Sequence, residues 1–395
     1  MKKIMVLGAG LYQVPLIKKI KEMGHQALVV SPSGAYPGID LADVFIESDT
    51  RDKDRVLSAA KKYNIDAILT TGTDVAVPTI GYVIDELKLI GTGLLAANKS
   101  MDKALMKKCF VKYGVNTARF ETIESYGQLV EIAEVIGYPL MVKATDSSGS
   151  RGITKVIHED ELLNAYNSAF NVTNSEYIIV EQFLDGYEIG SDTIILENEV
   201  AHVFLHGKQV SEPPVSTPIG HSMPLNISEE LERKIYTLLK TASKALKINN
   251  TLSNADIMIV DDEPYIIEMG ARLGATCIPE VISTFTGLNL YEYMIELSLG
   301  NQPKLTLPFK NQANAAVLIK TDTSGIVKKV TVPEETKNHP NLIDLALDIK
   351  VGSRVNAFTI GPDRIGQIIV KGENAEKAIR LAEKLAQTVI VELYE

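Results

Sequence analysis

The chain has 395 residues, 45% of them hydrophobic and 23% charged, which supplies apolar material for about two to four cores and shows no bias toward disorder. Forty basic against fifty acidic residues leave a net charge of −10, which speaks against a nucleic-acid binder but not against a protein that handles nucleotides. No uncharged apolar run reaches the roughly 18–20 residues that span a bilayer, and two distant cysteines, Cys109 and Cys277, exclude a disulfide frame, so a reducing cytoplasm is expected.

Residues 1–95 alternate strand and helix. The opening MKKIMVLGAGLY is basic then apolar, as a signal peptide is, but no small-residue cleavage site follows. It reads as a first strand, 3–7, running into a glycine turn. A helix through Met23, a strand over 26–31, a helix over 53–63, a strand over 66–70 and a helix over 75–85 predict a parallel, doubly wound sheet. The GAG turn lacks the third glycine of GxGxxG, and the second strand ends Val30-Ser31-Pro32 without an acidic residue, so no dinucleotide site is expected. Thr70-Thr-Gly-Thr-Asp74 closes the third strand at its carboxyl end, where open α/β sheets place their clefts. A charged helix follows over 98–114, with Ser100 as its N-cap and Lys103 near its start.

Residues 118–186 predict a unit of their own. A strand is followed by a helix over 125–136, strands over 140–144 and 153–157 joined by a Ser/Gly turn, a helix over 159–170 and a strand over 177–181. Gly149 and Gly152 can take positive φ, which lets successive N–H groups converge on an anion. Ser147, Ser148 and Ser150 add hydroxyl donors and Lys143 adds a charge, a set that suits a polyphosphate. The GxxxxGK[ST] of a helix-linked phosphate loop is absent, so the phosphate would lie under a hairpin tip that opens and closes as a lid. The bland alternative is an ordinary polar hairpin.

Further strands are predicted over 188–196 and 200–206, then a long polar loop over 207–224, a helix over 228–246, a hairpin over 252–268 and a helix over 289–299. In the hairpin Asp256 opens one arm and Glu268 closes the other, so their carboxylates sit side by side. Adjacent carboxylates repel unless a cation bridges them, and oxygen ligands with phosphates favour Mg²⁺; plain strand ends are the alternative. Asp261, Asp262 and Glu263 form a solvated turn. His221 lies in the Pro/Gly/Ser-rich loop, which is too long for a simple connection, and such loops often carry function; a surface histidine is the rival reading. His206 ends a strand, where contact with a substrate is the less favoured of its two readings, and Cys277 reads as packing. Beyond residue 305 come β segments over 313–321, 326–332 and on to 370. A final helix over 374–387 places Ala375, Ala378, Ile379, Ala382 and Leu385 at core spacing.

A lysine before a Ser/Gly hairpin, V-E-Q-F-L-D-G-x-E at its exit, and D-(x)11-E followed by A-R resemble the ATP-grasp superfamily over essentially the whole chain. Asp348-Ile-Lys-Val-Gly-Ser-Arg-Val and Asp363-Arg-Ile-Gly-Gln-Ile-Ile-Val-Lys-Gly look like the C-terminal domain of biotin carboxylase and its relatives. Glu268-Met-Gly-Ala-Arg272-Leu-Gly-Ala and Gly220-His221-Ser-Met-Pro224 resemble the bacterial L-amino acid ligases that make dipeptides.

The resemblance implies a mixed α/β and α+β ATP-grasp fold. It comprises a parallel α/β pre-grasp domain (1–95), an ATP-grasp domain (96–308) with a lid subdomain (118–186) and an antiparallel nucleotide and metal part, and a small α+β C-terminal domain (309–395). It implies ATP and Mg²⁺, with Mn²⁺ as a substitute. Lys103 and Lys143 would contact phosphates under a closing loop of Ser147, Ser148, Gly149, Ser150 and Gly152. Glu181, Gln182 and Leu184 would read adenine, Glu188 the ribose, and Asp256 and Glu268 would hold the metal. Arg272, with Lys143, would stabilise transferring phosphate or substrate carboxylate, and His221 would serve the substrate. The implied activity joins a small carboxylic acid, an amino acid in the first instance, to an amine through an acyl phosphate, releasing ADP and phosphate. Partners are then small molecules, with no nucleic acid or membrane, and relatives with this C-terminal domain are commonly dimers. Two departures stand out: Gly270 replaces the Asn that often completes the metal shell, and the phosphate loop is poorer in glycine than the carboxylase form. A carboxylase or purine-pathway synthetase using bicarbonate or formate stays open, as does a non-catalytic nucleotide-binding regulator.

Overall fold

The KIMVL run forms β1 (Lys3–Leu7), buried from Ile4 onward, in a computed structural model that describes residues 1–147, 149, 151–211, 217–303, 305 and 311–394. It continues through α1 (Val14–Glu22), β2 (Gln26–Ser31), β3 (Val44–Glu47), α2 (Lys53–Tyr63), β4 (Ala67–Leu69) and α3 (Val77–Leu87). The four strands pair in parallel in the order β3-β2-β1-β4, as the alternation predicts. The strand β3, which the sequence reading leaves out, is a half-exposed edge of only four residues.

The helix predicted over 98–114 is two helices, α4 (Leu94–Met101) and α5 (Lys103–Lys112). Asp102 breaks it: its backbone is extended, and its carboxylate caps α5 by accepting from the N–H groups of Ala104 (2.8 Å) and Leu105 (2.9 Å). Ser100 is therefore not a cap; it lies inside α4 and its hydroxyl donates to the Ala96 carbonyl. Next come β5 (Phe120–Ile123), α6 (Tyr126–Ile136), β6 (Leu140–Ala144), β7 (Ile153–Val156), α7 (Leu162–Phe170) and β8 (Ile178–Gln182). These strands form an antiparallel sheet in the order β5-β8-β6-β7, whose Val142 and Val180 pack on Leu129, Ala133, Leu162 and Ala165 of the two helices.

The chain then runs through β9 (Tyr187–Leu196), β10 (Glu199–Val210), β11 (Pro218–Met223), α8 (Glu229–Leu246), β12 (Thr251–Val260) and β13 (Glu263–Gly270). The strand β12 lies antiparallel between β9 and β13. After α9 (Ile278–Thr286) and α10 (Leu290–Ser298) follow β14 (Asn314–Ile319), β15 (Gly325–Thr331), α11 (Glu334–Lys337), β16 (Leu342–Leu347), β17 (Arg354–Val355), β18 (Gly366–Lys371), α12 (Ala375–Ala386) and β19 (Ile390–Leu393).

Two units result. One comprises Met1–Val203, Ile227–Leu273 and Met294–Asn301; the other comprises Phe204–Asn226, Gly274–Tyr293 and Gln302–Glu395. In the second, β11, β14, β18 and β16 are successive antiparallel neighbours. Ala378, Ala382 and Leu385 of α12 pack on Ala315, Val317 and Ile368, so that helix buries the face its spacing predicts. The polar stretch predicted as a loop over 207–224 is mostly strand. β10 continues to Val210, and β11 pairs with it and with β14, while residues 212–216 lie outside the described ones. Small residues make that pairing close: a Cβ on Gly220 would lie 2.5 Å from the Ala316 carbonyl oxygen.

Candidate active site

The site in the first unit begins with a buried carboxylate. Glu181 on β8 sits opposite Met141, which sets its side chain beside that of Lys143 on the next strand, and Lys143 Nζ donates to Glu181 Oε2 over 2.8 Å. Lys107 of α5 places its own Nζ 3.3 Å from the same oxygen and donates to Thr117 Oγ1 over 2.7 Å. All three charged groups are buried. Burial pulls the Lys107 ammonium down to about 8 in spite of Glu181. Burial also works against the Glu181 carboxylate, but the two lysines outweigh it and hold it below the usual range. Its second oxygen, Oε1, is buried without a hydrogen-bond partner among the described residues. A buried acceptor left open in this way fits an N–H donor such as the exocyclic amine of adenine.

Lys103, the first residue of α5, reaches the glycine hairpin and the acidic hairpin together. Its Nζ donates to the Ser147 carbonyl over 2.8 Å and lies 3.3 Å from Glu268 Oε2. Burial opposes its charge, but Glu268, Asp74 and Glu181 prevail and keep the ammonium above the ordinary lysine value. So the lysine whose head touches the loop backbone is Lys103, whereas Lys143, expected to point into the turn, is turned onto Glu181. Gly149 (φ 70°) and Gly152 (φ 65°) adopt the left-handed backbone the turn demands, and the Ser147 hydroxyl donates to the Arg151 carbonyl. Ser148 and Ser150 lie outside the described residues.

Asp256 and Glu268 face each other in register across β12 and β13, with a bulge directly after Asp256. Glu188 of β9 stands opposite Met258 on the other side of β12. Gln182 and Leu184 follow Glu181 at the sheet's exit, where the Gln182 N–H bonds to the Arg119 carbonyl. Among the described residues no group of three or more His, Cys, Asp or Glu converges as a metal cage. Two adjacent carboxylates still fit a hard divalent cation whose remaining oxygens come from phosphate and water.

Arg272 is held on every side. Its Nε lies 2.8 Å from Asp74 Oδ1, Nη2 donates to Asp74 Oδ2 over 2.9 Å, and Nη1 donates to Asn254 Oδ1 over 3.2 Å and to the Leu273 carbonyl over 3.4 Å. Asn254 in turn donates to Asp192, which is fully buried. Asp74 comes from the loop after β4, fastened by the Thr70 hydroxyl to the Leu7 carbonyl and by the Gly72 N–H to the Leu273 carbonyl. Gly270 leaves room for it: a Cβ there would lie 3.0 Å from Asp74 Oδ1. The sequence reading missed Lys107, whose signal is its spacing one turn from Lys103 on a face with Met106 and Phe110, and it missed Asn254.

In the second unit His221 is a strand residue on β11 rather than a loop residue, and it is buried. Its Nδ1 lies 3.2 Å from Nδ1 of the equally buried His206, with the rings edge to face. Burial, reinforced by His206 and Lys208, pushes its pKa well below the ordinary histidine value, so the ring is neutral at neutral pH. Cys277 is buried and donates to Gln367 Oε1, and burial pushes its thiol up, which suits packing and not attack.

A four-stranded parallel domain, an antiparallel lid with a glycine hairpin, and an acidic hairpin facing that lid through one lysine define an ATP-grasp protein. The family described as the carbamoyl-phosphate synthase L chain, ATP-binding domain, matches residues 102–306, and the chain belongs to it. Residues 318–394 match the family described as L-amino acid ligase C-terminal domain 2. The alanine–anticapsin ligase of Bacillus subtilis (strain 168) is 27% identical over 269 residues, 62% of this chain; the chain spans 56% of that protein's length. A phosphoribosylglycinamide synthetase structure from Anaerococcus prevotii is 30% identical with a TM-score of 0.83, covering 100% of both chains. An L-amino acid ligase from Bacillus licheniformis, at 19% identity and a TM-score of 0.86 over 100% of both chains, shares the fold. No helix among the described residues is long and apolar enough to cross a membrane.

Proposed function

We propose that this chain is an ATP-dependent ligase that joins the carboxylate of a small acid, an amino acid in the first instance, to an amine, with ADP and phosphate as by-products. The observation that carries the reading is the single ammonium of Lys103, 2.8 Å from the glycine-hairpin backbone and 3.3 Å from Glu268. Flap and acidic hairpin thus meet at one ammonium, and a nucleotide held by both would lie beside it. Asp256 and Glu268 would hold Mg²⁺, which supplies charge neutralisation between phosphate oxygens. Glu181 Oε1 accepts from the adenine amine, with Gln182 and Leu184 at the hinge and Glu188 on the ribose. Lys103, Lys143 and the loop of Ser147, Gly149 and Gly152 grip the phosphates.

A carboxylate resists an amine because its oxygen is too poor a leaving group. Transfer of the γ-phosphoryl to that oxygen breaks the bond to ADP and gives an acyl phosphate. The amine then attacks the carbonyl carbon, phosphate leaves with the C–O electron pair, and the amine proton passes to solvent or phosphate. Protein groups contribute charge and alignment: Lys103 and Lys143 on the phosphoryl oxygens and the Arg272 fork on the carboxylate. Exclusion of water beneath the hairpin protects the acyl phosphate.

The similarity to an alanine–anticapsin ligase and to an L-amino acid ligase C-terminal domain supports an amino acid as the acid. The full-length similarity at 30% identity to a phosphoribosylglycinamide synthetase favours a second reading, a purine-type synthetase, whose name also describes an amide of an amino acid. Phosphate release from ATP and Mg²⁺ across a matrix of amino acids and amines, with mass spectrometry of the products, tests both. An amide product carries the ligase reading; release driven by bicarbonate alone, or nucleotide binding with no turnover for any pair, overturns it.

A further inference from the structure

Arg272 as it stands has no open fork for a substrate: Asp74 covers the edge formed by Nε and Nη2, with Nη2 donating to Oδ2 and Nε 2.8 Å from Oδ1 but without hydrogen-bond geometry, and Nη1 is spent on Asn254 and the Leu273 carbonyl. Both partners of the pair are largely shielded, with 13% of the Arg272 side chain and 22% of that of Asp74 exposed. A substrate carboxylate that takes the Nε–Nη2 edge must displace Asp74. If the incoming group brings only negative charge, two carboxylates then crowd one guanidinium and Asp74 is left uncompensated in a site of low dielectric, which is strongly unfavourable. A molecule carrying a cation next to its carboxylate avoids this.

We propose that the Asp74–Arg272 pair is the resting state of a receptor for a zwitterion: the α-carboxylate of the acid substrate takes the Arg272 fork, and its α-ammonium takes Asp74. One internal ion pair is exchanged for two intermolecular ones, and the charge of the site does not change. The inference rests on the ligase reading and sharpens it, since it selects α-amino acids over plain carboxylic acids and over bicarbonate. The backbone is arranged for it. Asp74 stands at the head of α3, where its carbonyl accepts from the Val77 N–H, on a loop bridged to Leu273, the neighbour of Arg272. Gly270 leaves Asp74 its position: a Cβ there would press on Asp74 Oδ1 at 3.0 Å. A glycine here trades a side chain near the metal carboxylates for a carboxylate delivered from the first domain's loop.

The test compares a mixture of the twenty protein L-amino acids with a mixture of their des-amino acids (propionate for alanine, phenylpropionate for phenylalanine), each with ADP and Mg²⁺ present. Thermal stabilisation and ATP-driven phosphate release are measured on the parent, Asp74→Asn and Asp74→Glu. The amino acids are expected to stabilise the parent where the des-amino acids do not. Asp74→Asn should weaken the amino-acid response about 10- to 100-fold, the value of a hydrogen bond to a charged group, with Asp74→Glu retaining part of it. Unchanged stabilisation by ADP shows each variant folded. Equal responses to the two mixtures in the parent, or an Asp74→Asn response equal to the parent's, overturn the proposal. Zwitterion-dependent stabilisation without phosphate release would sink the ligase reading and leave the receptor standing.

Discussion

Replacing Glu181 by Gln asks how much one carboxylate does between two buried ammoniums. Its side chain is 3% exposed, that of Lys107 1% and that of Lys143 8%, so neither lysine is rescued by solvent. Removing one partner of a buried pair costs about 3–5 kcal/mol because it leaves an uncompensated charge, and here two charges lose their partner. Against a typical total of about 5–15 kcal/mol, the melting temperature should fall by roughly 6–20 °C at about 2–4 °C per kcal/mol. The pH dependence identifies the cause. Lys107 titrates near 8 when folded and near about 10.4 when unfolded. The folded state therefore binds fewer protons between those values, and this group's contribution to stability rises as pH climbs through that window. Without Glu181 the folded value drops further, so the window opens at lower pH and the deficit of the variant narrows between pH 7 and 9. Urea denaturation followed by circular dichroism at both pH values measures it. A variant within about 1 kcal/mol of the parent at pH 7, or a deficit that does not change with pH, refutes the reasoning.

Three further outcomes are expected. Glu268→Gln should lower ATP turnover by at least about two orders of magnitude while costing no more than about 1 kcal/mol of stability, because the Glu268 side chain is 40% exposed; normal turnover would show that the metal assignment is wrong. His221 has a folded pKa far below the ordinary value, so its neutral burial stabilises the fold fully above about pH 6.5 and loses that contribution as pH falls toward the folded value. The stability difference between pH 7.5 and pH 5 should therefore shrink in His221→Asn, and an identical slope would exclude His221 as the acid-sensitive element. Gly186→Ala would place a Cβ 2.0 Å from the Ile259 carbonyl oxygen and should cost about 1–3 kcal/mol in denaturation midpoint, with no loss if the chain at the hinge shifts freely.

Much of the fold is legible because its signals are local. Strands β1, β2 and β6 and helix α2 coincide with their predicted bounds, each a continuous apolar run or a face of helical period bounded by turn residues. Asp256 and Glu268 are predicted side by side from their places on the two arms of a hairpin, and the register agrees by way of the bulge after Asp256, without which Asp256 would face Ile267. What fails is whatever depends on distant partners. β11 reads as loop because Gly220 and Ser222 look like breakers, yet the tight approach to β14 is what requires small residues there. Asp102 reads as one more charge on a charged helix, although its carboxylate ends that helix, starts the next and accepts from Tyr177.

The same distinction explains Lys107, a site residue that the sequence reading missed. On the reading proposed above, in which Lys143 turns to the phosphates, that lysine alone could not hold the buried Glu181, because its movement to a nucleotide would leave the carboxylate uncompensated. Lys107, fixed on the same oxygen from another element, keeps that carboxylate ionised whichever way Lys143 turns. Gly270 poses the converse case. In sequence it is a missing Asn in an otherwise complete acidic hairpin, and it reads as a loss. In space a Cβ there would lie 3.0 Å from the Asp74 oxygen that pairs with Arg272, so the small residue sits beside a carboxylate brought from another segment. A charge that must be balanced under low exposure constrains which side chains gather around it more tightly than any spacing rule along the chain.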